Sequence, residues 1–157
     1  MNGLLIFSIA ASTALNVPEK ADTSWKTYMS YKCITCRASK QWKLQQKAYT
    51  DKHGLRKYDG RYMIAVGTPY GKVGDYVDVE LENGDILECV IGDSKGDRDY
   101  HLVYDENGRV LSYNVVEFIV DTPLLDKKAK NWGDISQIDG FAGNVVSIVK
   151  EDEDEHY

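Results

Sequence analysis

The amino-acid sequence predicts a mainly β protein, a small barrel of six or seven short strands with one or two short helices. Apolar Val77, Val79 and Leu81 alternate with acidic residues, which is the pattern of a half-buried strand. The dipeptide Asn83-Gly84 follows, and it favours a tight hairpin turn. The next segment, Ile86–Ile91, is almost wholly apolar and predicts a return strand buried on both faces. Eleven tyrosines also suit a β-rich fold.

Composition predicts one soluble domain over residues 25–150. The chain has 157 residues, of which 43% are hydrophobic and 28% charged, as in ordinary globular proteins. Its net charge of −6 comes largely from the acidic tail, residues 151–157, which we predict to be disordered. No basic stripe is present, so we expect no nucleic-acid partner.

Residues 1–24 form an apolar N-terminal segment followed by a polar linker. The run from Gly3 to Leu15 is too short for a transmembrane helix, which needs about 20 apolar residues, so no integral membrane segment is predicted. It could be the remainder of a secretory signal, although no Lys or Arg precedes it. A buried or partner-bound segment is an equal alternative.

The elements before the central hairpin are short. Trp25–Thr35 is predicted to be extended, and a helix capped by Ser39 is expected to end at Ala48. Turns follow at 51–54 and 58–60. The segment Arg61–Val66 then predicts a strand.

The loop after the hairpin carries the first candidate site residue. Strand Ile86–Ile91 is predicted to end in a Gly92–Asp97 loop, which would place Asp93 on a rigid support beside an open backbone. The alternative is that Asp93 and Asp97 are ordinary turn formers.

Glu117 is the second candidate. It lies in a predicted strand, Val110–Asp121, on the same face as Val115 and Ile119. A carboxylate there either faces solvent at a sheet edge or serves as an acid in a poorly solvated cleft. A short helix or loop at 123–131 and a final strand, Asn144–Lys150, complete the domain.

The cysteines leave three interpretations open. Cys33 and Cys36 form a C-x-x-C, which could be a redox pair, half a zinc site or a small disulfide. Zinc needs further ligands, and Cys89 is predicted to lie in a core strand. We favour two small, semi-buried side chains and predict no metal and no cofactor; a redox protein is the third and weakest functional hypothesis.

The motif order resembles a known family. Strand RYMIAVG, turn PYGKVGD, strand YVDVEL, strand ILECVIGD and strand VVEFIVD are similar to the double-psi β-barrel of bacterial cell-wall lytic proteins. The three-aspartate ("3D") domains are the nearest in pattern, with rare lipoprotein A and membrane-bound lytic transglycosylase A more distant. Asp93 takes the place of the second aspartate, whereas Gly67 replaces the first and Glu117 the third. The chain also resembles small uncharacterised proteins of Gram-positive bacteria and their phages.

This resemblance implies a lytic transglycosylase-like enzyme that cleaves peptidoglycan glycan strands. Asp93 would be the general acid and then the base, and a close Glu117 would raise the pKa of one of the two carboxyls. The remaining predicted site residues bind substrate: Lys95, which would hold a substrate carboxylate, and Thr68, Tyr62 and Tyr70, which would line the groove. The expected location is extracellular, in the cell envelope or in a phage virion, with virion or envelope proteins as further possible partners.

Gly67 supports an alternative from another class. A barrel without the full set of aspartates would be a non-catalytic glycan-binding or structural module of a cell envelope or virion.

Overall fold

The computed structural model describes residues 13–17, 23–96, 107 and 115–152. Within these residues, the mainly β prediction is confirmed: nine strands form one mixed sheet, and only two short α-helices are present. The strands are β1 (Thr13–Asn16), β2 (Thr27–Ser30), β3 (Tyr49–Thr50), β4 (Arg56–Tyr58), β5 (Arg61–Gly67), β6 (Tyr76–Leu81), β7 (Ile86–Lys95), β8 (Glu117–Val120) and β9 (Val145–Lys150). The helices are α1 (Lys40–Lys47) and α2 (Lys127–Trp132).

The sheet is organised around β5. Its order is β1-β9-β6-β7-β5-β4-β3, and β8 pairs with both β5 and β2. Two pairs are parallel, β5 with β7 and β2 with β8, and the other pairs are antiparallel. Because parallel neighbours cannot be joined by a tight hairpin, these two pairs require crossover connections. A double-psi connectivity of these strands stays a prediction.

Several predicted elements are present. Ser39 caps α1 by accepting a hydrogen bond from Trp42 N at 3.1 Å. The Asn83-Gly84 turn joins β6 to β7, with Gly84 at φ 88°. The strand count exceeds the predicted six or seven because four strands of two to four residues precede β5. One of them, β1, pairs with β9 and adds part of the N-terminal segment to the sheet.

Two clusters of buried apolar side chains lie on opposite faces of β5 and β7. The major core contains Ile64, Val66 and Ile91 together with most other buried apolar residues. The minor core consists of Met63, Val90 and Ile119, against which partly buried Leu44 packs from α1. Alternation along the strands therefore sends adjacent residues to different cores.

The predicted loop at Asp93 is wrong, because β7 continues to Lys95. Strand β7 pairs in parallel with β5, and the register shifts between Ile64, opposite Ile91, and Ala65, opposite Asp93. Gly92 is the extra residue of this β-bulge. A Cβ at Gly92 would lie 2.7 Å from Ile119 Cδ1, so a larger residue there would push against the minor core.

Parts of some predictions fall outside the described residues. These are most of the apolar N-terminal segment, Asp97, residues 110–114 of the predicted strand before Glu117, and residues 153–157 of the acidic tail. In the part of the chain that is described, neither helix has the length and apolar character needed to cross a membrane.

Candidate functional site

Asp93 and Glu117 lie on either side of the same residue. Ala65 of β5 is opposite Asp93 on β7 and opposite Glu117 on β8. With neighbouring strands spaced ~4.8 Å apart, the two acidic residues have Cα atoms roughly 10 Å apart across β5. We call the residues gathered here, Thr27, Ala65, Asp93, Lys95 and Glu117, the Ala65 site.

The side chains of the Ala65 site share one face of the sheet. Directly opposed residues point to the same side, and residues two apart in a strand do so as well. Met63, two residues before Ala65, and Ile119, two after Glu117, both belong to the minor core. Asp93 and Glu117 therefore extend the minor-core face, with Ala65 between them.

Glu117 is bound by a buried lysine. Its Oε2 lies 3.2 Å from Lys95 Nζ, and the side chain of Lys95 is only 3% exposed, against 22% for that of Glu117. The hydroxyl of Thr27 donates to Glu117 Oε1 at 3.5 Å. Because an unpaired ammonium at that depth would be costly, Glu117 is the counter-ion of Lys95. The geometry makes Lys95, not Asp93, the direct neighbour of Glu117.

Asp93 has a different environment and is partly exposed. Its Oδ1 accepts hydrogen bonds from Gln41 Nε2 at 3.3 Å and from the backbone N–H of Ser94 at 2.8 Å. Gln41 lies in the first turn of α1, so the helix covers one side of the carboxylate. The Gly92 bulge sets the direction of Asp93, a common use of bulges beside functional sites.

An open groove of about 560 Å³ lies near Asp93, although Asp93 itself does not line it. Gln41 and Ser94, the two hydrogen-bond donors to Asp93, form part of its wall. The remaining wall residues are Thr68, Gly71, Lys72, Val73, Asp75 and Lys150. We call this the Lys72 groove. Thr68, one of the predicted groove residues, is exposed in it.

The two predicted tyrosines are placed elsewhere. Tyr70 is buried in the major core, although its chain neighbours Thr68 and Gly71 line the groove. Tyr62 also packs against the major core, where its ring makes edge contacts with Phe118 and Phe141 at centroid distances of 6.4 and 5.1 Å. Neither tyrosine lines the Lys72 groove.

Two residues of this region were missed by sequence reasoning. Gln41 is an ordinary polar residue of a short helix, and Thr27 lies in a segment predicted only as extended. Neither residue belongs to a recognisable sequence motif. Their contacts with Asp93 and Glu117 follow from the tertiary packing of α1 and β2.

The cysteines do not join the Ala65 site. The prediction that Cys33 and Cys36 are semi-buried is wrong, because both are exposed in the segment before α1. Cys89 is buried in the major core as predicted. Burial raises the pKa of the Cys89 thiol well above its usual range, with a smaller contribution from Asp78. Among the described side chains, no group of three His, Cys, Asp or Glu residues could hold a metal ion.

Comparisons with known proteins add no family assignment. No family model matches the chain. Searches of curated proteins and of solved structures give no match either. The chemistry of the Ala65 site must therefore be argued from its own residues.

Proposed function

We propose that this protein acts on the glycan strands of peptidoglycan as a lytic transglycosylase-like enzyme, with Asp93 as its acid and base. One observation carries the proposal: Asp93 is a partly exposed carboxylate on a bulged strand, and its two hydrogen-bond donors, Gln41 and Ser94, line an open groove. The motif resemblance supplies the substrate class.

Asp93 alone suffices for the proton transfers. In its protonated form it gives a proton to the glycosidic oxygen while the bond from that oxygen to the anomeric carbon breaks. The carboxylate then takes a proton from a hydroxyl of the same sugar, whose oxygen closes on the anomeric carbon as an anhydro ring. No water is consumed, and Asp93 ends protonated, as it began.

Glu117 has a supporting role in this proposal. Its contact with Lys95 gives the buried ammonium a counter-ion, and the resulting pair packs beside Ala65. The pair fixes local charge next to Asp93 without supplying a second acid.

The test is release of soluble fragments from purified peptidoglycan, analysed by mass spectrometry. The wild-type protein should release fragments with an anhydro end, and Asp93→Asn should lower the rate about 100-fold or more. Asn keeps an oxygen that can accept from Gln41 and Ser94 N, so the fold should persist. Asp85→Asn, at the exposed hairpin turn, is the matched control. Equal release by Asp93→Asn and wild type would remove Asp93 from the reaction.

A second function, glycan binding without cleavage, is favoured by a specific observation. Gly67 stands where the related domains carry an aspartate, and Glu117 is held by Lys95. Sedimentation with insoluble peptidoglycan but no released fragments would favour this binding module over the enzyme.

A further inference from the structure

A second cavity lies beside the Lys72 groove. It has a volume of about 390 Å³ and shares two wall residues with the groove, Lys72 and Asp75. A tight turn joins these residues: Lys72 N donates to Asp75 Oδ2 at 2.9 Å, and Asp75 N donates to Lys72 O at 3.0 Å. The turn therefore separates two cavities that lie side by side.

Helix α1 borders both cavities. Gln41, which donates to Asp93, lines the Lys72 groove, whereas Lys40 and Leu44 line the second cavity. Residues 40, 41 and 44 share one side of the helix, because an α-helix has 3.6 residues per turn. One side of α1 thus connects the contact with Asp93 to the second cavity.

Two tyrosines supply the aromatic wall of the second cavity, which we call the tyrosine cavity. Tyr58 of β4 and Tyr76 of β6 line it, and both pack against the minor core. Tyr76 is opposite Val90 of the minor core, so it lies on the sheet face that also carries Asp93. The two rings and the candidate acid are therefore on one face of the molecule.

The ring of Tyr76 is held in one orientation. Its hydroxyl donates to Asp59 Oδ2 at 2.7 Å, and the guanidinium of Arg61 lies 4.8 Å from the ring centroid. Burial, with a further contribution from the hydrogen bond to Asp59, raises the pKa of Tyr76 to about 12, so the hydroxyl stays neutral at physiological pH. A ring that is already fixed loses little side-chain entropy when a ligand binds.

The charges around the tyrosine cavity are of both signs. Its charged wall residues are two lysines and three carboxylates: Lys40, Lys72, Asp75, Glu151 and Asp152. Asp75 is paired with Lys150. Glu151 is paired with Arg61. Because neither sign dominates, the cavity favours an uncharged ligand whose hydroxyl groups can donate to carboxylates and accept from ammonium groups.

We propose that Tyr58 and Tyr76 form a subsite that binds an uncharged N-acetylhexosamine of the glycan strand by stacking against the apolar face of its pyranose ring. The C–H groups of that face carry partial positive charge and meet the negative face of an aromatic ring. This inference rests on the proposed action on glycan strands and identifies where a sugar distant from the cleaved bond is held. A strand bound there would follow α1 toward Asp93.

The test is isothermal titration of the full chain with chitotetraose, a soluble oligomer of N-acetylglucosamine. The Asp93→Asn background prevents turnover and is the parent protein for each variant. We expect Tyr58→Ala to weaken binding about tenfold, because it removes the aromatic contact. Tyr58→Phe should stay within about threefold of the parent, since it keeps the ring and loses only the hydroxyl.

Tyr49→Ala is the matched control. Tyr49 is 50% exposed on β3, the neighbour of β4, and does not line the tyrosine cavity, so its loss should leave the affinity unchanged. Chemical denaturation checks that each variant is folded, because Tyr58 also packs against the minor core. If Tyr58→Ala does not fold, Tyr58→Leu, which keeps apolar packing, takes its place and should lose binding to the same extent.

Failure of the subsite differs from failure of the enzyme proposal. Parent-like affinity in the folded alanine or leucine variant, or no binding of chitotetraose to the parent, overturns the subsite whatever the fragment-release assay shows. Undiminished fragment release by Asp93→Asn overturns the catalytic role whatever the titration shows.

Discussion

Strands β5, β7 and β8 have two faces that differ sharply in chemistry. On the major-core face, Ile64, Ile91 and Phe118 are completely buried among apolar side chains. On the opposite face, the minor core gives way within two residues to the charged Asp93 and Glu117. Because a strand alternates its side chains, one short segment supplies stability on one side and candidate chemistry on the other.

Neighbouring residues of β8 belong to different faces, and their substitution should give the largest difference in stability. Phe118→Ala should lower the free energy of unfolding by about 4 kcal/mol, since it empties a fully buried site in contact with Tyr62 and Phe141. Glu117→Gln, one residue earlier, should cost about 2 kcal/mol, since the amide oxygen can still accept from Lys95 but leaves its buried ammonium without a counter-ion. Chemical denaturation measures both. Equal losses would mean that the two faces do not divide their roles in this way.

The bulge at Gly92 connects the minor core to Asp93 on the same face and should give the next largest effect. Gly92→Ala places a methyl group against Ile119 and Met63, and should cost about 2 kcal/mol through overpacking. It should also lower fragment release, because Asp93 follows directly. Ser94→Ala, exposed on the same strand, is the control and should stay within ~0.5 kcal/mol of wild type. A fully stable, fully active Gly92→Ala protein would contradict the packing argument.

Lys26 is a charged residue that is buried outside the Ala65 site. Its residue is 1% exposed, and its ammonium donates to Gly143 O at 2.6 Å and to Ser136 Oγ at 3.0 Å. Burial lowers the pKa of Lys26 to about 8, although Asp134 and Glu82 oppose the shift.

A depressed lysine pKa has a defined consequence for stability. The folded state favours the neutral form of Lys26. Protonation of Lys26 therefore lowers the free energy of unfolding as the pH falls from 10.5 toward 8, and this loss is absent above pH 10.5. Between pH 8 and 10, the free energy of unfolding of wild type should therefore rise by about 2 kcal/mol relative to Lys26→Met. Parallel stability curves for the two proteins over that range would contradict this account.

Local patterns explain which parts of the fold were predictable. The alternation of β6, the Asn83-Gly84 turn and the Ser39 cap depend on neighbouring residues, and all three are present. The continuation of β7 through Asp93 depends on pairing with β5, which is distant in sequence and invisible to a local pattern.

In the candidate site, too, local features were predictable and long-range contacts were not. Asp93 and Glu117 were identifiable as carboxylates in or beside apolar strands, and both lie opposite Ala65. Their partners were not identifiable, because Lys95 was predicted to be a loop residue and Gln41 reaches Asp93 only through the packing of α1. Tyr62 and Tyr70 were expected in the groove, but Tyr70 lies in the major core and Tyr62 packs against it.

The proposal that glycan strands bind beside Asp93 is tested most directly by mapping where such a strand binds. The protein labelled with ¹⁵N would be titrated with soluble, peptide-bearing glycan strands, using the Asp93→Asn variant to prevent turnover. We expect amide shift changes concentrated at Gln41, Thr68 and Ser94, with little change along the major-core face around Phe141. Changes centred on Phe141, or none at saturating glycan, would contradict it.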